Sequence, residues 1–559
     1  MFNKKGIVHI IALLLINFVL FFGYAFSKGL STDIVLKDPK PYGLSQNDVI
    51  AANLGKYEAK NYDVFVISAK LPYFVSDFKI EGIDNDKIDS VVINENEPAS
   101  FENLKNYISK TKKDSLIPVL KICLTAFGIE LLLFLTIFYP QEGSFFENLK
   151  NNRRIFYASL FILSIFVIWN FYNISSNAVN APYYDEWEAL LPGRLDKNLN
   201  LNWIFAFHNE HKIVFTRFLT WIFYVLNGWN IKYQIIFSFF LFLSALFALY
   251  KILPAKHSLL PLFFIPLFSD TSLYNQMTEF QSQFYFMLLF CFLAINFGIA
   301  KETNLKNTLI FSAFSIAAMF SMSFTAGIAL FCSFLLKEKR INKYVLIAFG
   351  IMSAGLLLYF CNFESEYIVN KITMPYEFSF WRYYISGFFL ALLNIKLPYT
   401  PDIISALCIY FLVIVLTCIN AKIKPENYVY VALLILNFVL LGSISAGRAV
   451  NGIVHPRHYT VIMFLIPVFA SLFFSFKRPL MSFAYFILLS ITFAPHFSSK
   501  EYIEQRQERI LGKEKLIKAI EENRDMITAE GLYWMSDEYK DITVQAKNAK
   551  RLNLSFFYD

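Results

Sequence analysis

The sequence predicts an all-α polytopic membrane protein. About 13 transmembrane helices, juxtamembrane helices in outer loops and a small β-rich outer module near the N-terminus are expected. Three observations carry this. The 559 residues are 56% hydrophobic, 18% aromatic and only 17% charged, with mean hydropathy +0.46, whereas soluble domains carry about 25% charged residues. Apolar runs near the ~20 residues needed to cross ~30 Å of hydrocarbon recur along the chain. Lysine and arginine also gather in alternate loops, the distribution that orients membrane proteins. The net charge of +8 is therefore read as topological and not as a sign of nucleic-acid binding. Cys123, Cys291, Cys332, Cys361, Cys408 and Cys418 lie in or beside apolar runs at no metal-binding spacing, which predicts small buried apolar residues.

Residues 1–27 hold a first span, 7–26, behind Lys4 and Lys5, read as an uncleaved helix with a cytoplasmic N-terminus. Residues 28–115 have strand-like stretches such as YDVFVIS and KIDSVVI, broken by Pro, Gly, Asn and Asp. They predict a β-rich outer module. Residues 116–154 supply a second span, 116–139, with an unusual Glu130, and then a basic cytoplasmic loop. Within 155–495 the expected spans are 155–174, 231–250, 259–268, 281–298, 308–320, 324–336, 344–360, 403–420, 428–442, 460–475 and 480–495. This count puts every basic loop on one side. Counting 213–226 or 380–395 alone as a span would break that agreement, so both are expected to lie along the outer surface or to re-enter from it. Residues 496–559 form an outer tail, whose charged stretch 500–525 predicts a solvated or surface-lying helix.

Two stretches concentrate the polar chemistry on the outer side. The first, 182–217, holds Asp185, Glu186, Glu188, Trp187, Trp203, His208, His211 and Arg217 between strongly apolar segments. A charge at the bilayer centre costs at least ~2.5 kcal/mol on insertion scales, so this stretch belongs at a surface or in a wet cavity. The spacing of His208, His211 and Arg217 predicts one shared helix face. The second stretch, SAGRAVNGIVHPRHY over 445–459, holds Arg448, His455, Arg457 and His458, and its Gly and Pro residues permit irregular backbone around a water-lined pocket. Asp270, Glu279, Glu364, Glu366 and Arg382 are secondary site candidates, for which solvated loop charge is the favoured reading.

A span leading out, an acidic pair about ten residues later, surface-lying helices and a short helix pair at 308–336 together resemble the GT-C superfamily of integral membrane glycosyltransferases. The resemblance covers 155–495 and is closest in flavour to bacterial O-antigen and other cell-surface glycan transferases. It implies a multi-pass protein of the bacterial inner membrane that takes a sugar from a polyprenyl-phosphate donor to a cell-surface glycan or lipid-linked acceptor. It also implies that Asp185 is the general base, with Glu186 as alternative base or as metal ligand beside it if a divalent metal is used. Arg448, Arg457, His455 and His458 are then expected to bind the donor phosphate. His208, His211, Arg217 and Trp187 are expected to contact donor or acceptor. Two other classes compete. An envelope glycan polymerase or ligase would lean on the outer arginines and histidines without needing Asp185. A lipid or solute transporter would favour mid-membrane polar groups and repeat symmetry.

Overall fold

The computed structural model describes residues 30–37, 56–59, 64–71, 88–93, 152–361, 372–394, 425–449, 458, 461–475, 479–532 and 541–558. The chain divides into two compact units, 1–140 and 141–559. In the first, β1 (Leu30–Lys37), β2 (Lys56–Ala59), β3 (Val64–Leu71) and β4 (Ile88–Ile93) form an antiparallel sheet of order β2-β3-β1-β4. In its register Ile34 is opposite both Ile67 and Val91. The expected spans 7–26 and 116–139, and Glu130, lie outside the described residues.

The second unit is mostly helical. Among the described residues, five segments are long and apolar enough to cross a membrane. They are α1 (Arg153–Asn177), α4 (Ile231–Ile252), the segment 279–300 that contains α5 (Ser282–Ile295), α8 (Lys343–Phe360) and α10 (Tyr428–Arg448). Helix α1 shows membrane logic most clearly. Tyr157, Phe161, Ile165, Ile168 and Tyr172 recur at helical spacing and are all exposed, whereas Asn170, Asn173 and Asn177 are buried. The Asn170 amide donates to Phe268 O at 3.1 Å, Gln276 Oε1 at 3.0 Å and Tyr502 Oη at 2.9 Å. An apolar stripe faces outward and polar groups join the helices within. Asn152 starts α1 by accepting from the Arg154 and Ile155 amides.

Shorter helices fill the frame: α2 (Leu201–Phe205), α3 (Val214–Asn227), α6 (Leu305–Ser321), α7 (Phe324–Glu338), α9 (Phe378–Leu393), α11 (Leu465–Ser475), α12 (Pro479–Phe493), α13 (Lys500–Glu521) and α14 (Thr543–Arg551). Helix α3 covers the segment 213–226 that was expected to lie along the surface or to re-enter from it. Its 14 residues rise ~21 Å, too little to span, and it stops at Gly228, where φ is +67°. The pair α6 and α7 breaks at Met322 and Ser323, with Ser323 Oγ capping Thr325 N.

Two expectations are corrected. Residues 259–268 do not make a membrane-crossing α-helix. Leu260–Phe268 is a fully buried 3-10 helix, whose nine residues reach only ~18 Å. Pro266, inside it, lacks the amide that an α-helical ladder needs. The tail is not simply a solvated helix either. Helix α13 packs against α1 and buries Tyr502, Arg509 and Leu516. Helix α14 packs against the turn that carries the acids. Of the thirteen expected spans, 155–174, 231–250, 281–298, 344–360 and 428–442 fall on the five long apolar helices, 308–320, 324–336, 460–475 and 480–495 fall on shorter helices, and 7–26, 116–139 and 403–420 lie outside the described residues.

Candidate functional site

The acids of the first polar stretch sit on a 3-10 helix, Tyr184–Leu190. Tyr184 has φ +55°, a left-handed conformation that a bulky residue adopts only at a cost of about 1–3 kcal/mol. Its amide donates to Leu532 O at 3.1 Å, so the C-terminal segment holds the backbone immediately before Asp185. The turn separates its acids. Asp185, half-buried, faces a cavity of about 590 Å³. Glu186 is 1% exposed and does not line that cavity. Its Oε2 accepts from Tyr183 N at 2.8 Å, and its Oε1 accepts from the amides of Glu279 and Phe280 at 2.9 and 3.5 Å. Burial pushes its carboxyl up to about 7, against the charge of Arg509 and those amides. Glu186 therefore ties the turn to the start of the 279–300 span and is not a second acid beside Asp185 in the cavity. A gap of about 20 Å³, lined by Asp185, Glu186, Glu188, Arg217 and Glu279, lies behind the turn and is large enough for one water.

Glu188 is the hub of the other flank. It pairs with Arg194, with His208 Nδ1 and, at 3.0 Å, with Arg217. Burial opposes its ionisation, but the hydrogen bond and charge of His208 and the charges of Arg217 and Arg194 outweigh it and hold the carboxyl at about 2. Arg217 is 4% exposed and also donates to Trp203 O at 2.8 Å and Phe207 O at 3.3 Å. Burial lowers it to about 10, which leaves it a cation. Arg217 does not line the large cavity, so the expected ligand contact is replaced by a structural role.

The histidines are not on a helix face. Phe207–His208 (β5) and His211–Lys212 (β6) form a tight hairpin, in which His208 pairs with His211 and their rings lie 5.5 Å apart. Asn209, at φ +49°, makes the turn, a conformation Asn tolerates through its short polar side chain. Lys212 locks the hairpin to the end of α8: its amide donates to Tyr359 Oη at 3.1 Å, and its Nζ lies 4.7 Å from the Phe207 ring centroid. Both histidines line the cavity. Burial, then the charges of His208, Arg448 and Arg217, hold His211 well below the usual histidine range, so its imidazole is neutral.

The second polar stretch arrives from the far end of α10. Arg448 lines the cavity with its guanidinium 3.7 Å from Glu210 Oε1. His458 lines it too, with Nδ1 3.1 Å from Tyr383 Oη. Asp185, His208, His211, Arg448 and His458 therefore line one cavity, which brings residues of the two polar stretches together. His455 and Arg457 lie outside the described residues, as do Glu364 and Glu366. The rest of the wall is largely apolar, with Phe284, Phe324, Phe360, Phe380 and Phe438. Trp187 is 2% exposed and is not part of the wall, so it packs in the core and offers no face to a sugar.

Several contributors are absent from the sequence reading. Glu210 and Gln283 line the cavity, and Glu210 Oε2 and Gln283 Oε1 are buried acceptors without a hydrogen-bond donor among the described residues. The place of Glu210 between two histidines was the available signal. Glu188 stands out in the sequence only as a member of the 182–217 stretch, and nothing local singles out Gln283. Asp270 and Glu279 are 4% and 2% exposed, not solvated: Asp270 pairs with His496 at 2.9 Å, and Glu279 accepts from Gln234. Arg509 is 1% exposed, lies 3.9 Å from the Tyr183 ring centroid and donates to Met277 O at 2.7 Å, joining the tail to both sides of the turn. Among the described residues no group of three or more His, Cys, Asp or Glu is placed to hold a metal ion. Comparison with protein-family models, with characterised proteins and with solved structures finds no match to this chain.

Proposed function

We propose that the chain is an integral membrane glycosyltransferase that moves a sugar from a polyprenyl-phosphate donor to a cell-surface glycan or lipid-linked acceptor at the outer face of a bacterial inner membrane. The observation that carries this reading is that one cavity is lined both by Asp185, Arg448 and His458 and by several phenylalanines. An isoprenoid phosphate likewise joins a charged headgroup to an apolar tail. Arg448 and His458 receive the phosphate, to which arginine can offer paired charge-assisted hydrogen bonds. Glu210 Oε2 and Gln283 Oε1 accept from sugar hydroxyls, which supply the donors these buried oxygens lack. Asp185 takes the proton of the acceptor hydroxyl as its oxygen bonds to the anomeric carbon. The bond from that carbon to the phosphate oxygen breaks, and the lipid phosphate leaves with the electron pair.

The test is Asp185→Asn, assayed for glycan modification at matched protein level. Loss of a general base should lower the rate by ~10²–10⁴ while polyprenyl-phosphate binding stays near that of the wild type. The polymerase or ligase reading is favoured by one feature, the orientation of His208 by Glu188 at the cavity wall. Full activity of Asp185→Asn with an inactive His208→Ala would select it.

A further inference from the structure

Asp185 lines two spaces, the large cavity and the gap of about 20 Å³ behind the turn. Phe280 is the other residue shared by the two linings, so among the described residues Asp185 is the one ionisable group that reaches both. A proton taken up on the cavity side can therefore leave on the gap side. Glu186 lines the gap and not the cavity, with its oxygens held by the amides of Tyr183, Glu279 and Phe280. A gap of this size takes one water where polar groups meet it. Trp203 lines it, is 5% exposed, and its indole N–H finds no acceptor among the described residues. Glu279 lines it too. One of its oxygens accepts from Gln234 and Thr220, and the other accepts no hydrogen bond among the described residues. A water placed there accepts from Trp203 and donates to the acids, which satisfies a buried donor that is otherwise costly.

We propose that one water in this gap passes the proton that Asp185 takes from the acceptor hydroxyl on to Glu186, which holds it until the products have left. The proposal rests on the glycosyltransferase reading above. In the step, the O–H bond on Asp185 breaks as the water takes that proton, and the water gives one of its own to the Glu186 carboxylate. Asp185 is again an anion, Glu186 is neutral, and no other bond changes. A proton left on Asp185 would stand ready to return to the new glycosidic oxygen and reverse the transfer, since the base of one direction is the acid of the other. Donor and glycan fill the cavity meanwhile, so solvent does not reach Asp185 from that side. After they leave, the proton returns by the same water to the open cavity. Burial pushes the Glu186 carboxyl up to about 7, against the charge of Arg509 and the three amides, which suits it to hold and release a proton near neutral pH. The charged and titratable groups around it are Tyr183, Asp185 and Glu188 on its own segment, Arg217 from α3, Glu279 from the 279–300 span and Arg509 from α13.

The experiment follows transfer from pH 5 to 8 in membranes that contain the full chain with their own lipid-linked sugars and glycan. Binding of short-chain polyprenyl phosphate is measured on the purified full chain. Wild-type transfer should fall as pH drops through about 7, because Glu186 is then already protonated and takes no second proton. Glu186→Gln should transfer roughly a hundredfold more slowly and lose that fall, while binding stays near that of the wild type. A purely structural role would slow transfer and leave the fall in place. A Glu186→Gln variant that transfers like the wild type, or that keeps the fall near pH 7, would overturn the proposal. Asp185→Asn separates the two readings. If it is inactive while Glu186→Gln is unaffected, the relay alone fails; if it transfers like the wild type, the glycosyltransferase reading fails as well. If Glu186→Gln does not fold, Trp203→Phe keeps an aromatic ring and removes the N–H that anchors the water. It should slow transfer several-fold at unchanged binding, and a wild-type rate there would be equally decisive against the proposal.

Discussion

Glu186 and Glu188 share one 3-10 turn and end in opposite electrostatic states. The flank around Glu188 is rich in cations, with Arg194, His208 and Arg217 on one carboxylate. The flank around Glu186 is rich in acids: Glu279 is buried close by, and Arg509 is the cation that offsets them. One carboxyl is held at about 2 and the other is pushed to about 7. Glu186 is 1% exposed and the Glu188 side chain 23%, so desolvation weighs more on Glu186. The opposing charges within reach separate them further, with three cations on Glu188 and Arg509 alone against a neighbouring acid at Glu186. Asp185 lies between these flanks and faces the cavity, so both flanks fix its position.

The comparison can be broken hardest at Arg217. Arg217→Ala leaves Glu188 short of its most buried cation and uncaps the carbonyls of Trp203 and Phe207. Removing one partner of a buried pair costs about 3–5 kcal/mol. A large drop in the thermal midpoint in detergent is the expected result, and a midpoint within a degree of wild type would refute the hub role of Glu188.

Arg509→Ala acts on the other flank and should cost less, about 2–4 kcal/mol, because Glu186 can take up a proton. The cost should be greater at pH 8 than at pH 5, where Glu186 is already neutral. An equal loss at both pH values would show that Arg509 acts by packing on Tyr183 and not by charge.

The smallest and most discriminating effects come from the acids themselves. The pKa of Glu186 is raised on folding, so its contribution to stability is full below about 4.5 and is lost as pH rises toward about 7. Glu186→Gln should remove that slope, worth on the order of 1–3 kcal/mol. The pKa of Glu188 is lowered, so its contribution is present above about 4.5 and is lost as pH falls toward about 2. Glu188→Gln should flatten the acid limb and leave the neutral one. Unfolding measured from pH 3 to 8 checks both, and slopes of the same sign in the two variants would contradict the assignment.

The structure also shows which inferences from sequence are sound. Hydropathy is a local property, and it placed α1, α4 and α8 within a few residues; in the structure Asn152, Asn230 and Asn342 cap these helices through their side chains. The same local logic failed at Leu260–Phe268, where apolar composition is that of a span but the prolines and nine-residue length are not. It failed again at His208 and His211, whose spacing fits a helix although Asn209 turns a hairpin.

The sequence by itself determined that this is a membrane-type helical chain and marked two polar stretches, 182–217 and 445–459, as places where lipid would not tolerate such groups cheaply. It thereby named five residues that meet in the cavity: Asp185, His208, His211, Arg448 and His458. Only the tertiary structure decided what each acid does. Glu186 meets Glu279 across 93 residues, Glu188 meets Arg217 across 29, and Arg509 reaches Met277 across 232. An acid's protonation and direction depend on the charges and amides packed around it, and those arrive from distant segments that no local pattern specifies.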